Sequence, residues 1–216
     1  MKLIKVMFAN LMVAALLCAS APALAQALPS LGQAGSFSIL GGSAVTNTGS
    51  SVVTGDLGIW PSSASSITGF PPGVVVGTVH AGDAVAQQAQ SDLTTAYNDL
   101  AGRACGTSLT GTDMGGLTLA PGVYCFTSVA QLTGTLTLDA QGNANAVFIF
   151  QIGTSLTTAS GARVLVINGG SNCNVFWQVG SSATLGTATT FAGTVVALTS
   201  ITLTTGASVS GRVLAR

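Results

Sequence analysis

The feature that most constrains this chain is a short segment that recurs and is followed each time by the same kind of strand. Four stretches align: Thr48-Gly49-Ser50-Ser51, Thr158-Ala159-Ser160-Gly161, Thr187-Ala188-Thr189-Thr190 and Thr205-Gly206-Ala207-Ser208. In three of them an apolar residue and then a glycine follow, in Val52-Val53-Thr54-Gly55, Phe191-Ala192-Gly193 and Val209-Ser210-Gly211. Thr187 and Thr205 stand 18 residues apart, and Thr158 and Thr187 stand 29 apart. The second spacing equals the first plus an 11-residue excursion, most of which the loop at Asn168–Asn174 can hold. A unit this short cannot bury its own apolar face, so it must stack on its neighbours. Eighteen residues suit one turn of a three-sided β-solenoid, with about six residues per side. Equivalent residues then stack at about 4.8 Å, and positions i and i+2 of one strand face the same way about 6.7 Å apart. On this template Thr158, Thr187 and Thr205 form one outward file, with Ser160, Thr189 and Ala207 as its neighbour. Thr48 and Ser50 take the same places in the first segment, while Ala159, Ala188 and Gly206 point inward.

The rest of the chain agrees with stacked short strands. Leu117-Thr118-Leu119, Thr135-Leu136-Thr137-Leu138 and Ile201-Thr202-Leu203-Thr204 alternate with period two and favour β-branched residues. Val147-Phe148-Ile149-Phe150 and Val164-Leu165-Val166-Ile167 have no polar member, which predicts burial on both sides. Residues 55–75, with Pro61, Pro71, Pro72, Gly69 and Gly73, read as loop. One helix stands out at about 83–101. Val85, Ala89, Leu93, Ala96 and Leu100 follow steps of four, four, three and four, with Tyr97 beside them. Asp83 is the expected N-cap and Gly102 the expected stop. Such a helix lies along something flat and apolar.

The first 25 residues are excluded from the fold. Lys2 and Lys5, an apolar run from Val6 to about Ala19, and Ala23-Leu24-Ala25 form a secretory signal pattern, with cleavage expected after Ala25. Bulky Leu17 before Cys18 argues against a lipid anchor. Removing 25 of the 216 residues leaves 191, a single domain at 26–216 with no Lys, no Glu, four Arg and six Asp, a formal charge of −2. Without clustered cations it does not read as a nucleic-acid binder. No later apolar run is long enough to span a membrane. Export favours pairing of two of the three remaining cysteines. Cys105 and Cys125, separated by a Gly/Thr-rich stretch, are the expected pair, and Cys173 is expected free and buried. No metal or cofactor site is expected, because there is no CxxC and His80 is the one histidine. Nor is an enzyme expected: the acids are six scattered aspartates, and no partner pattern surrounds His80. Asp56 aligns with Arg212 in the repeat, where the two can stack as an ion pair.

Several longer segments carry a resemblance. They include Val53-Thr54-Gly55-Asp56-Leu57-Gly58, Thr68-Gly69-Phe70-Pro71-Pro72-Gly73, Ala120-Pro121-Gly122-Val123-Tyr124, Asn174-Val175-Phe176-Trp177-Gln178-Val179-Gly180 and Gly211-Arg212-Val213-Leu214-Ala215. In these, from about residue 31 to the end, the sequence resembles the microbial ice-binding proteins. The resemblance implies a mostly β, right-handed, three-sided and discontinuous β-solenoid with one long α-helix packed alongside. It also implies a secreted, cofactor-free monomer whose partner is the ice crystal surface, released outside the cell, in the periplasm or at the cell surface. Some members carry Thr-(Ala/Gly)-x-(Thr/Asn) on the ice-facing side. With the two outward files as that side, the expected ice-binding residues are Thr48, Ser50, Thr158, Ser160, Thr187, Thr189, Thr205 and Ala207. Only Thr190 matches the last position outright. Members usually continue past the Arg-Val-Leu-Ala segment with one more strand, so an uncovered sheet edge is expected near Arg216. The alternative from another class is a cell-surface adhesin or polysaccharide-binding solenoid, which predicts exposed aromatics in a groove.

Overall fold

The computed structural model describes residues 26–216, so the expected signal peptide lies outside the described residues. The described chain is mostly β with one long helix. Its strands pair in parallel, winding upon winding. Gly122–Phe126, Ala130–Leu132 and Thr135–Asp139 are followed by Phe148–Ile152, Leu156–Thr158 and Arg163–Ile167. Each strand pairs with its counterpart, placing Val123 opposite Ile149, Gln131 opposite Thr157 and Thr137 opposite Leu165. This is the arrangement of a β-solenoid.

The windings are not stacked in chain order. Along the main sheet the strands run Val79–Ala81, Asp56–Ile59, Phe37–Gly41, Ser208–Ala215, Thr190–Ala197, Val175–Val179, Phe148–Ile152, Gly122–Phe126 and Thr107–Ser108. The chain must therefore travel from one end of the sheet to the other between Ala81 and Thr107. Helix α1, Ala84–Gly102, makes most of that journey. Its 19 residues span about 28 Å, enough to pass roughly six strands at 4.8 Å each.

The helix stays on the sheet because both surfaces are apolar. Ala86, Ala89, Leu93, Ala96 and Leu100 are buried against strand residues that point away from the solenoid core, among them Val123, Ile149, Phe176, Val196 and Leu214. That cover is why all four residues of Val147–Phe150 are buried. Val85, which fits the same periodicity, is 41% exposed, and Ala86 takes its place. Side-chain amides fix the register. Gln151 donates to the carbonyls of Leu100 and Arg103, each at 2.7 Å, and so satisfies the helix C-terminus. The Asp83 carboxylate accepts from the Ala86 N–H at 2.8 Å as the N-cap, a contact that stabilises a helix by about 1 kcal/mol.

Inside the solenoid, Tyr124, Phe150, Trp177 and Phe191 form a stack. Phe150 and Trp177 lie 3.9 Å apart and nearly parallel. The repeated glycines have a steric cause. Gly193 and Gly211 have φ of +109° and +156°, and a Cβ on Gly211 would lie 2.0 Å from the Gly193 carbonyl oxygen.

Several expectations need correction. Leu165 is 46% exposed, because no described residue covers the outer side of its strand as the helix covers Ile149. Residues 55–75 include the strands Asp56–Ile59 and Ile67–Thr68 and the start of a third, Val74–Val76. Their glycines and prolines mark the corners between short strands. Cys105 and Cys125 are joined as expected, but Cys173 is exposed, not buried. Arg212 donates to the Gly35 carbonyl at 2.8 Å and Asp56 accepts from the Thr78 N–H, so the two make no ion pair.

Candidate functional site

The eight residues named from the repeat do not share a face. Thr158 and Thr189 are 3% and 0% exposed, and they point inward. Their hydroxyls meet at 2.8 Å. Thr158 also accepts from the Gly186 N–H at 2.8 Å, and Thr189 donates to the Ala159 carbonyl. Ser160, Thr187 and Thr205 are exposed, but at turns. The residue after each is left-handed, with φ of +70° at Gly161, +57° at Ala188 and +74° at Gly206. Ala188 is therefore exposed at a turn instead of pointing inward, and Ala159 is half-buried. Ala207 is half-buried against the core. Thr48 and Ser50 are exposed in the separate N-terminal windings.

The reason is register. Leu156 stands opposite Ala183, and Arg163 opposite Thr190, a spacing of 27 and not 29. Ser160 is thus the equivalent of Thr187, and Thr158 that of the core residue Leu185. The motif marks a corner of the winding, where one sheet gives way to the next.

The surface that is both ordered and hydroxyl-rich lies just before that corner. It is the four-stranded parallel sheet of Ala130–Leu132, Leu156–Thr158, Ser182–Leu185 and Ser200–Leu203. Leu132, Leu156, Ala183 and Leu185 turn into the core. With period two, their neighbours must face out. Gln131, Thr157, Thr184 and Thr202 stand in register across the four strands. Beside them Ser182 and Ser200 are also in register, with hydroxyls 2.9 Å apart. At the far side the Thr204 hydroxyl donates to the Leu185 carbonyl at 2.9 Å. No charged residue occurs in 127–133, 153–159, 180–186 or 198–204, the segments that build this surface. Asp113 stands at its edge, bridged to Gln131. Burial pushes the Asp113 carboxyl up, but hydrogen bonds from the Thr133 side chain and the Gly115 and Thr133 N–H groups more than offset this and hold it below the usual value. Two residues of the N-terminal windings, Thr46 and Thr68, add a further in-register pair of exposed hydroxyls. Alternation, visible in Ile201-Thr202-Leu203-Thr204, was the signal for this array, whereas the four-residue motif marked only its border.

Chemistry of other kinds has little to work with. His80 lies at the helix entry, with Nδ1 2.8 Å from the Asp83 carboxylate. That carboxylate is held below its usual pKa, first by the Ala86 N–H and then by His80. Among the described residues no group of three or more His, Cys, Asp and Glu converges on a metal-sized site, and no helix is long and apolar enough to cross a membrane. Trp177 and Tyr124 are core residues.

Thr158→Val tests the inward placement. It removes the acceptor of the Gly186 N–H and one partner of the Thr189 hydroxyl, so stability should fall by about 1–3 kcal/mol. Thermal unfolding followed by circular dichroism measures this.

A repeated, uncharged outer sheet of parallel strands places this molecule among the β-solenoids. The comparisons agree on which one: the ice-binding-like family profile matches residues 39–216, and this chain belongs to that family. The ice-binding protein of Nostoc sp. (strain HG1) is 55% identical over 193 residues, covering 89% of this chain and 71% of that protein. Ice-binding protein 1 of Shewanella frigidimarina (strain NCIMB 400) is 37% identical, with 87% of this chain matching 24% of that protein. Among solved structures, an ice-binding protein from an Antarctic biological consortium superimposes with a TM-score of 0.86 at 49% identity, covering 89% of this chain and 86% of that one. The ice-binding protein of the Antarctic ascomycete Antarctomyces psychrotrophicus gives 0.85 at 40% identity, covering 88% and 92%.

Proposed function

We propose that this chain is a secreted, monomeric ice-binding protein that adsorbs to ice crystals and slows their growth and recrystallisation. In this reading it catalyses no reaction and holds no cofactor. Its right-handed, three-sided solenoid offers the sheet around Thr157, Thr184 and Thr202 as a flat contact face. The observation that carries the proposal is that file of threonines, in register on adjacent strands and free of charge. Ice is a repeating array of water oxygens, so a binder needs a repeating array of its own. A threonine hydroxyl both donates and accepts hydrogen bonds. Its branched carbon restricts χ1, so little side-chain freedom is lost on contact. Charged groups would hold water in shells of their own. Many weak contacts on one rigid body then add to a very slow release. Ice pinned at many points grows only between the anchors, and the resulting curvature slows growth.

The polysaccharide-binding reading fits less well. It calls for exposed aromatic platforms, and the exposed large apolar residues among those described are all Val or Leu.

Ice grown slowly in the presence of residues 26–216 tests the proposal. Faceted crystals and suppressed coarsening of a frozen film are expected. Round, unmodified discs at high protein concentration would overturn it.

A further inference from the structure

Two tight turns stack on one another where Thr135–Asp139 and Arg163–Ile167 lead round to Phe148–Ile152 and Val175–Val179. In each, the N–H of the fourth residue donates to the carbonyl of the first, Asn143 to Ala140 at 2.9 Å and Gly170 to Ile167 at 3.4 Å. The central residues have positive φ in both: +54° and +79° at Gln141 and Gly142, +55° and +81° at Asn168 and Gly169. A turn of this type favours Asn-Gly, because asparagine tolerates the left-handed region and glycine has no side chain to strain. The turns are also tied together. The Gly142 N–H donates to the Asn168 carbonyl at 3.0 Å, and the Asn168 side-chain amide donates to the Asp139 carboxylate at 2.7 Å.

The pair that suits this turn is also chemically labile. Asparagine is a thermolabile side chain, most of all before glycine, where no side chain shields the following amide nitrogen. Asn168 is the one asparagine of the chain followed by glycine. Both residues are exposed, and the Gly169 N–H has no hydrogen-bond partner among the described residues. What opposes reaction is the contact with Asp139. It ties the Asn168 amide to the preceding winding, whereas reaction requires that amide carbon to turn towards the Gly169 nitrogen. The Asp139 carboxyl is held below its usual pKa, first by the Gln141 N–H and then by Asn168. It therefore accepts as a carboxylate, and such charge-assisted bonds are stronger than neutral ones.

We infer that Asn168–Gly169 is a site of spontaneous covalent modification, with Asp139 as the residue that holds it in check. The Gly169 nitrogen loses its proton to hydroxide and forms a bond to Cγ of Asn168. The Cγ–Nδ2 bond breaks, and the nitrogen leaves as ammonia after taking a proton from water, which restores the hydroxide. A five-membered imide remains, and a second water opens one of its carbonyls. The product is aspartate at position 168 or its β-linked isomer. The sum is asparagine plus water giving aspartate plus ammonia, with no change of oxidation state. The new carboxylate cannot donate to Asp139 and sets a second negative charge beside it. The β-linked isomer also adds a carbon to the backbone of a turn stacked on its neighbour. Modification therefore loosens the corner formed by residues 139–143 and 167–170.

Residues 26–216 and a free peptide copying residues 166–171, Val-Ile-Asn-Gly-Gly-Ser, are held side by side in mildly alkaline buffer. Conversion of each asparagine is followed by peptide mass spectrometry. In the intact protein it should concentrate at Asn168, at a rate below that of the peptide. Asp139→Ala should speed conversion at Asn168 roughly three- to tenfold, the factor carried by one hydrogen bond of ordinary net strength, and leave the other asparagines unchanged. Asp139→Asn keeps an acceptor oxygen and should stay close to the parent rate. Conversion at Asn168 no faster than at the exposed Asn98, Asn143 and Asn145 would overturn the site. An intact protein that converts as fast as the peptide, an unchanged rate in Asp139→Ala, or equal rates in the two variants would overturn the role of Asp139. The peptide comparison decides the matter even where the alanine variant fails to fold. None of these readouts involves ice, so the inference stands or falls apart from the ice-binding proposal.

Discussion

Thr184→Tyr is expected to abolish most of the ice activity and leave the fold untouched. Thr184 stands between Thr157 and Thr202 in the outward file. A tyrosine there would raise an aromatic ring above the plane of its neighbours and hold that plane off the crystal. Because the contact is a sum of many weak ones, separating the surfaces at one central point removes several at once. Thermal hysteresis at equal protein concentration should fall to less than about a third, by the same additive reasoning. Tyrosine is well suited to an outward strand position, so the circular dichroism spectrum and Tm should not move. Thr187→Tyr, at the turn bordering the sheet, should weaken activity less. Full activity in the Thr184 variant would remove this sheet as the contact face.

Trp177→Ala should do the opposite. Trp177 is fully buried, stacks on Phe150 and donates from its indole nitrogen to the Ala192 carbonyl at 3.0 Å. Truncation empties the centre of the aromatic stack and leaves that carbonyl unpaired, a loss of about 4 kcal/mol. For a domain of this size that lowers Tm by about 10 °C, measurable by calorimetry. At freezing temperatures, where the fold persists, the outward threonines keep their register and ice activity should survive. The two variants together separate the proposed contact surface from the interior that holds its strands in register.

Much of this was legible before any coordinates. Stacked short windings followed from the 18-residue repeat, and Thr190 does stand opposite Ser208. The helix followed from its apolar spacing, and Asp83 caps it as expected. The Cys105–Cys125 pairing also held. The outward array was harder to read. Aligning Thr158 with Thr187 on the first position of a shared motif misplaced it by two residues. A slip of two leaves the parity of a strand unchanged, but beside a corner it exchanges an exposed turn for a buried position. Thr189 failed for a related reason, because it follows the left-handed Ala188 and the turn swings its side chain into the core. A threonine buried beside a second one loses nothing, since each hydroxyl finds a partner. Residue type alone therefore could not tell it from an exposed one.

Local periodicity belongs to the sequence: which residues alternate, where a winding turns, how little charge there is, and that one helix must be covered. These are set by backbone geometry and by the cost of exposing apolar surface. The order in which the windings stack, the side of the sheet the helix covers and the residues that come into register as the outward array were decided only in three dimensions. They depend on pairings between strands far apart in the chain, and no short-range pattern records which distant strand will lie 4.8 Å away.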